Sequence, residues 1–168
     1  IASLKAHEAG SYSTVNSADY LGYYQFGVAA LETVGFLAAG SQAILEAAGC
    51  GGQSVSCRSV TDTVLNDTSK WSGTKAVELG VSSKEDYLAN KNNAQDVAIG
   101  LLSNISFRSL SNSGDVDLSN PNDVGGMVAT AHLRGVGGAR TMRAGRERAD
   151  GFGTFPSTYY IEIGAAVC

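Results

Sequence analysis

The amino-acid sequence predicts a mainly α-helical protein with one irregular lobe, and two observations support this prediction. Apolar residues recur at helical spacing in much of the chain, as in 28–36, 41–48 and 94–110. By contrast, the five aromatic residues within 11–27 follow no helical spacing, so we expect an ordered loop or small hairpin with an aromatic surface there. No repeat or linker divides the chain, which is expected to form a single domain over 1–168.

Local signals place several of the predicted elements. Ser83 with Asp86 three residues later has the form of a capping box, which opens a helix. A polar segment over 111–122 is interpreted as a loop, and further helices are expected over 1–8 and 157–166. The helix over 94–110 is predicted to be central, and its spacing gives a buried face of Val97, Leu101, Leu102 and Ile105.

Composition and charge exclude some classes of function. The formal net charge of −4 argues against a general nucleic-acid binder, because a polyanionic partner normally requires a basic domain. No apolar run approaches the roughly 20 residues that span a bilayer. Charged residues make up only 17% of the chain, which is typical of an extracellular, periplasmic or virion-associated protein.

The two ends of the sequence suggest a processed chain or a piece of a longer one. The chain starts at Ile1 without Met, and Lys5 interrupts the apolar start, so this start is not interpreted as a signal peptide. Cys168 is the last residue, which is typical of a chain that continues or is tethered. We therefore expect membership of a larger virion or secreted assembly.

The other two cysteines, Cys50 and Cys57, bracket a flexible six-residue loop. A disulfide can close such a loop, and the alternative is a pair of reduced thiols at the surface. A metal site is not expected, because neither histidine lies near the pair and no second cysteine pair completes a tetrahedral site.

Glu8 is the candidate catalytic acid. Cleavage of a glycosidic bond needs a carboxylic acid that stays protonated near neutral pH. Glu8 ends the first predicted helix, and desolvation raises its pKa if the tyrosine-rich segment folds over it. The alternative is a solvated or capping glutamate.

Two blocks of sequence carry a family resemblance. His7-Glu8-Ala9-Gly10-Ser11-Tyr12, followed by Gly22-Tyr23-Tyr24-Gln25-Phe26-Gly27, resembles the opening of the lytic transglycosylase and goose-type lysozyme superfamily. Ala131-His132-Leu133-Arg134-Gly135 is similar to its Ala-Tyr-Asn-Ala-Gly element. The Tyr-Gln-Phe-Gly motif also resembles a muramidase-like group in phage tails and secreted bacterial proteins. The resemblance covers about 5–27 and 71–160 and leaves 40–69 unmatched, as an insertion would.

The resemblance implies a lysozyme-like α+β fold and cleavage of peptidoglycan glycan strands without a cofactor. Glu8 matches the catalytic acid, and Gln25 matches a residue that lines the cleft. Tyr23 and Tyr24 are candidates to stack on sugars, with Tyr24 slightly favoured, whereas His132 and Tyr160 are candidates to contact substrate. For each of these residues a purely structural role is the alternative, and His132 replaces the tyrosine of the family pattern.

The sequence leaves the chemical outcome open. Asp19 and Glu32 are candidates for a second carboxylate, as a hydrolase uses. Without one, the muramic 6-hydroxyl can attack to give a 1,6-anhydro product, and we favour this lyase route. The rival from another class is a non-catalytic structural or wall-binding module of the same fold, and a chitin-type glycanase differs only in substrate.

Arginines are concentrated near the end of the chain. Five of them lie within 15 residues, with Glu147 as the accompanying acid. A solvated helix face is the default interpretation. A docking stripe for the anionic groups of stem peptides and wall polymers is the functional one.

Overall fold

Short helices and the turns between them make up most of the structure, a computed structural model that describes residues 10–149 and 153–164. Within these residues the only strand pairing consists of two isolated antiparallel bridges, Val15 with Leu21 and Leu21 with Phe26. The mainly α class and the irregular 11–27 segment are therefore as predicted. No helix in the described ranges combines the length and apolar character needed to cross a membrane.

The chain separates into two units, Ile1–Gly100 and Leu101–Cys168. The first unit is built of α1 (Val28–Thr33), α2 (Ser41–Ala47), α3 (Arg58–Asn66), α4 (Thr74–Leu79) and α5 (Lys84–Leu88). Single 3₁₀ turns lie at Val55–Cys57, Thr68–Lys70 and Lys91–Asn93. The boundary between the units falls within α6 (Ala94–Asn112).

Aromatic side chains form part of the core of the first unit. The Tyr87 ring meets the Phe36 ring edge-on at a centroid distance of 5.3 Å and the Trp71 ring at 5.6 Å. The Trp71 indole N–H donates to the Leu65 carbonyl, 2.8 Å away. Gly73 lies so close to Gly35 that an added Cβ would come within 2.2 Å of the Gly35 carbonyl oxygen. The connections between helices are therefore fixed by buried rings and by direct backbone packing.

Local signals explain where the helices of this unit begin and end. The helix predicted over 28–36 ends at Thr33, because Gly35 takes a left-handed φ of 80°. The Ser83 hydroxyl accepts from the Asp86 N–H, as the capping box predicts. The Asp86 carboxylate, however, accepts from the backbone N–H and hydroxyl of Ser82, so only half of the capping box forms.

The predicted buried face of α6 is wrong. Val97, Leu101 and Leu102 are only partly buried, and Ile105 is 43% exposed. The buried positions instead include the following residues: Ala94, Gln95, Ala98, Ile99, Ser106 and Leu110. Four of these six side chains are small or polar, so the spacing of large apolar residues does not identify this face.

The second unit contains α7 (Pro121–Arg143) and α8 (Pro156–Gly164). The prediction of a loop through Pro121 is wrong, since Pro121 opens α7. The Asn120 side chain caps this helix by accepting from the N–H groups of Asn122 and Asp123, and proline is tolerated at a first helical position. Gly135 interrupts the helix with φ 69° and ψ 170°, which produces a kink.

Glycines allow α7 and α8 to pack closely. A Cβ at Gly126 would come within 2.7 Å of the Tyr160 ring, and one at Gly164 within 2.8 Å of the Asn122 carbonyl oxygen. One buried apolar cluster of this unit consists of Leu110, Val116, Met127, Ala131 and Ala139.

The predicted disulfide is confirmed: Cys50 and Cys57 are bonded, with Cα atoms 5.6 Å apart. The bond closes the loop between α2 and α3, within the stretch over 40–69 that we interpret as an insertion. Both cysteines are at least 90% buried. The single-domain organisation with this insertion stays a prediction.

Candidate functional site

The segment before α1 is a series of tight turns set by Asn16. Its side-chain oxygen accepts from the N–H groups of Ala18 and Tyr20, at 2.9 and 3.0 Å. Its backbone carbonyl also accepts from the Asp19 N–H. These bonds are the local pattern by which asparagine nucleates a turn. As a result Asp19 takes a left-handed φ of 59° and its side chain points inward, where only 1% of its surface is exposed.

Gln95 on α6 fastens this segment to the rest of the first unit. Its side-chain oxygen accepts from the Tyr23 N–H at 2.8 Å. Its amide nitrogen donates to the carbonyls of Tyr12 and Tyr87, also at 2.8 Å. The Gln95 side chain is fully buried, and a Cβ at Gly22 would come within 2.0 Å of its oxygen. Glycine at position 22 is therefore needed for the loop to approach the amide, in addition to its φ of 76°.

Asp96, the next residue in the sequence, accepts hydrogen bonds from hydroxyl groups of the same segment. Its carboxylate accepts from the Tyr12 hydroxyl at 2.8 Å and from the Tyr24 hydroxyl at 2.6 Å. The Asn90 amide donates to it at 3.2 Å, while the Asn90 side-chain oxygen accepts from the Gln95 N–H. Gln95 therefore binds the backbone of the segment before α1, and Asp96 binds the hydroxyl groups of its tyrosine side chains.

The structure distinguishes the two adjacent tyrosines. The Tyr24 ring is fully buried, whereas the Tyr23 ring is half-buried and lies 5.3 Å from the Tyr12 ring. Of the pair, Tyr23 is the one that can reach a ligand in this conformation. Gln25 takes a left-handed φ of 50°, and its amide donates to the Gly22 carbonyl at 2.8 Å. The sequence left a purely structural role open as the alternative for Gln25, and this hydrogen bond within its own loop is such a role.

Asp19 is an unusual buried carboxylate. Neither of its oxygens accepts a hydrogen bond among the described residues. Among the described residues its ion-pair partner is Arg58, whose Nε lies 3.4 Å from one oxygen. Burial raises the pKa of Asp19 above its ordinary value of 3.8, an effect that the positive charges of Arg58 and Lys84 oppose. The folded state therefore disfavours the ionised carboxylate.

We predict that Asp19→Asn stabilises the protein at neutral pH. Because the folded-state pKa is raised, ionisation costs stability as the pH rises from 3.8 through that pKa. Asparagine removes this cost and tolerates a left-handed φ, so we expect a gain of about 1 kcal/mol in the free energy of unfolding at pH 7. Urea denaturation of the two proteins at pH 7 and pH 3 measures it, and the gain should vanish at pH 3.

Asp62→Asn is the matched control for this prediction. A hydrogen bond from Lys84 lowers the pKa of Asp62, so removal of its charge should slightly destabilise the protein. An Asp19→Asn variant that also loses stability at pH 7 would show that the Arg58 ion pair outweighs burial.

Glu32, the other candidate second carboxylate, caps a helix. One oxygen accepts from the Gly40 N–H at 3.0 Å and the other from the Gln42 N–H at 2.6 Å. It borders an open pocket of about 610 Å³ between α1, α2 and the start of α4, which includes Leu37 and Gly73 in its lining. Of the predicted site residues within the described part of the chain, Glu32 alone lines this pocket.

His132 and Tyr160 lie in the second unit. His132 is half-buried on α7, three residues before the kink at Gly135. The Tyr160 hydroxyl donates to the Asp123 carboxylate at 2.6 Å, and this bond raises the pKa of Tyr160. Arg143 pairs with the same carboxylate. The hydroxyl of Tyr160 is thus engaged in a structural network, and its contact with substrate stays a prediction.

The structure brings Asp19, Tyr23, Tyr24 and Gln25 together in one segment, whereas Glu8 and Cys168 lie outside the described residues. Sequence reasoning missed the part played by Gln95 and Asp96. The signal available was a pair of polar residues at the start of a predicted helix, and nothing in that pattern says which groups they bind.

No family model matches this chain, and neither a curated protein nor a solved structure is similar to it.

Proposed function

We propose that this protein cleaves peptidoglycan glycan strands at the β-1,4 bond between N-acetylmuramic acid and N-acetylglucosamine, with Glu8 as general acid and then base. The observation that carries the proposal is that the loop after Glu8 in sequence is held in place by hydrogen bonds. Its Gly22–Gln25 element, which resembles the cleft-lining element of lytic transglycosylases, is bound by a buried amide and a carboxylate.

Rigid support of this kind suits a substrate-binding loop. A catalytic or binding group must be held to within a fraction of an ångström, and neighbouring hydrogen bonds supply that precision. The accessible Tyr23 ring, beside Tyr12, offers an aromatic surface to sugar C–H groups. These features support a carbohydrate ligand at this segment.

The chemistry we propose starts with proton transfer from Glu8 to the glycosidic oxygen, which breaks the bond to the muramic C1. The 6-hydroxyl of the same sugar then bonds to C1 and gives its proton to the Glu8 carboxylate. This closes a 1,6-anhydro ring and restores the acid. The burial of Asp19, which is 1% exposed, favours this route over a hydrolase that needs a second accessible carboxylate.

Glu8→Gln tests the assignment of the acid. Glutamine keeps the shape but has no transferable proton, so we expect activity to fall at least about a hundredfold. The assay is turbidity loss of purified peptidoglycan, with mass spectrometry of the released muropeptides. Glu85→Gln is the matched control, because Glu85 is an exposed glutamate in the first turn of α5.

The products separate the alternatives. Anhydro ends identify the lyase route, whereas reducing muramic ends identify a hydrolase. A wild-type protein that binds peptidoglycan but releases nothing would replace the enzyme with a wall-binding or structural module of a virion or secreted assembly. Activity on chitin alone would identify the glycanase.

A further inference from the structure

The arginines near the end of α7 fall into two groups. Arg140 donates to the Asp115 carboxylate, with Nε 2.5 Å from Oδ2, and also to the Ser113 hydroxyl. Arg143 pairs with Asp123. Arg140 thus holds the loop between α6 and α7 against the end of α7, and Arg143 joins that end to Asp123 in the first turn of the same helix. The guanidinium groups of these two arginines are therefore paired with carboxylates of the protein itself.

The other three arginines, Arg134, Arg146 and Arg148, line one pocket of about 430 Å³. Each is exposed, and none of them forms an ion pair with another described residue. The acidic residue in the lining is Glu147, whose two carboxylate oxygens accept from the N–H and the hydroxyl of Ser157. This carboxylate is engaged with the first turn of α8, and it offsets one of the three positive charges.

The kink at Gly135 positions the first of these arginines. With φ at 69° and ψ at 170°, Gly135 redirects the chain directly after Arg134. The Arg134 stem then lies beside Gly138, where an added Cβ would come within 2.3 Å of the Arg134 Cβ. In an uninterrupted helix, Cβ atoms four residues apart are about 5–6 Å from each other. The kink at Gly135 and the absence of a side chain at Gly138 thus allow the Arg134 side chain to line the pocket.

We infer that this pocket binds a phosphate group, carried by a small ester or as free phosphate. Three guanidinium groups against one carboxylate leave a local charge that matches a phosphate monoester, which carries about −1.5 to −2 near pH 7. Guanidinium groups bind phosphate through paired N–H donors. The pocket volume lies in the range of small-ligand sites, about 300–1,000 Å³. The chain as a whole is negative, at −4, so the attraction comes from this cluster and not from net charge.

Isothermal titration calorimetry at constant ionic strength tests the site, with glycerol 3-phosphate and inorganic phosphate as separate probes. We expect saturable binding to the wild-type protein and about tenfold weaker binding to Arg146→Gln, which loses one charge-assisted contact. Arg108→Gln removes an equal charge from an exposed position on α6 outside the pocket, and its affinity should match the wild type. Tighter binding of glycerol 3-phosphate than of phosphate identifies an ester site, and equal affinity identifies a phosphate site.

Gly138→Ala provides a second test that leaves every charge in place. The new methyl group must displace the Arg134 stem, so binding should weaken although the net charge is unchanged. Circular dichroism of each variant without phosphate shows whether its helices are intact. No saturable binding to the wild type, or equal weakening by Arg108→Gln and Arg146→Gln, overturns the inference, because general electrostatic attraction then accounts for the data.

Discussion

Gln95→Ala is expected to lower the free energy of unfolding of the first unit by about 4 kcal/mol. The substitution removes three hydrogen bonds of 2.8 Å and leaves the Tyr23 N–H and the carbonyls of Tyr12 and Tyr87 without this partner. Each buried polar group that loses its partner costs about 1–3 kcal/mol. The cavity left by the side chain adds to this cost.

Trp71 allows the change to be measured in this unit alone. It is the single tryptophan of the chain and is 3% exposed, so its fluorescence in urea reports the unfolding of its surroundings. Gln42→Ala is the matched control, since the Gln42 amide makes one hydrogen bond, to the Gly51 carbonyl near the surface. We expect that control to cost less than about 1 kcal/mol. Equal losses in the two variants would show that the buried amide has no special importance.

Gln95 also shows why the sequence could not predict the site in full. An amide side chain carries no preference for a particular partner, and its partners Tyr12 and Tyr23 lie more than 70 residues away in the chain. Only the tertiary fold sets that pairing. The disulfide was predictable, because Cys50 and Cys57 are separated by a short flexible loop and need little more than a turn to meet.

The two adjacent tyrosines illustrate the same limit at a single site. Tyr23 and Tyr24 have the same chemistry, and no periodicity applies in an irregular segment. The Tyr24 ring is the buried one, and its hydroxyl donates to Asp96, 72 residues away in the chain. Pro121 is comparable: proline is common both in loops and at the first position of a helix, and Asn120 decides the matter by capping α7. Local sequence signals therefore predicted helices and the disulfide. The conformation of the candidate site depends instead on polar contacts between residues that are far apart in the chain.

Asp123→Ala is expected to destabilise the second unit by about 3 kcal/mol. The Asp123 carboxylate accepts from the Asp117 N–H at 2.7 Å and from the Tyr160 hydroxyl at 2.6 Å, and it pairs with Arg143. Its side chain is 6% exposed, whereas that of Arg143 is 40% exposed and can turn to water. The cost therefore comes mainly from the two hydrogen-bond donors that lose their acceptor. Native-state hydrogen exchange of the amides in α7 and α8 measures it.

The pH dependence of stability gives this prediction an independent test. Burial raises the pKa of Asp123, but the hydrogen bonds from Asp117 and Tyr160 and the charge of Arg143 outweigh burial and bring it below 3.8. A lowered pKa means that the carboxylate contributes its full stabilisation above 3.8 and loses it as the pH falls through the folded-state value. Asp123→Asn should therefore show weaker acid dependence than the wild type in α7 and α8. Asp117→Asn, at an exposed loop position, should cost less than about 1 kcal/mol.

Tyr160→Phe distinguishes a structural role of Tyr160 from contact with substrate. Loss of stability alone makes Tyr160 a member of this network. Loss of peptidoglycan cleavage at unchanged stability makes it a substrate-binding residue.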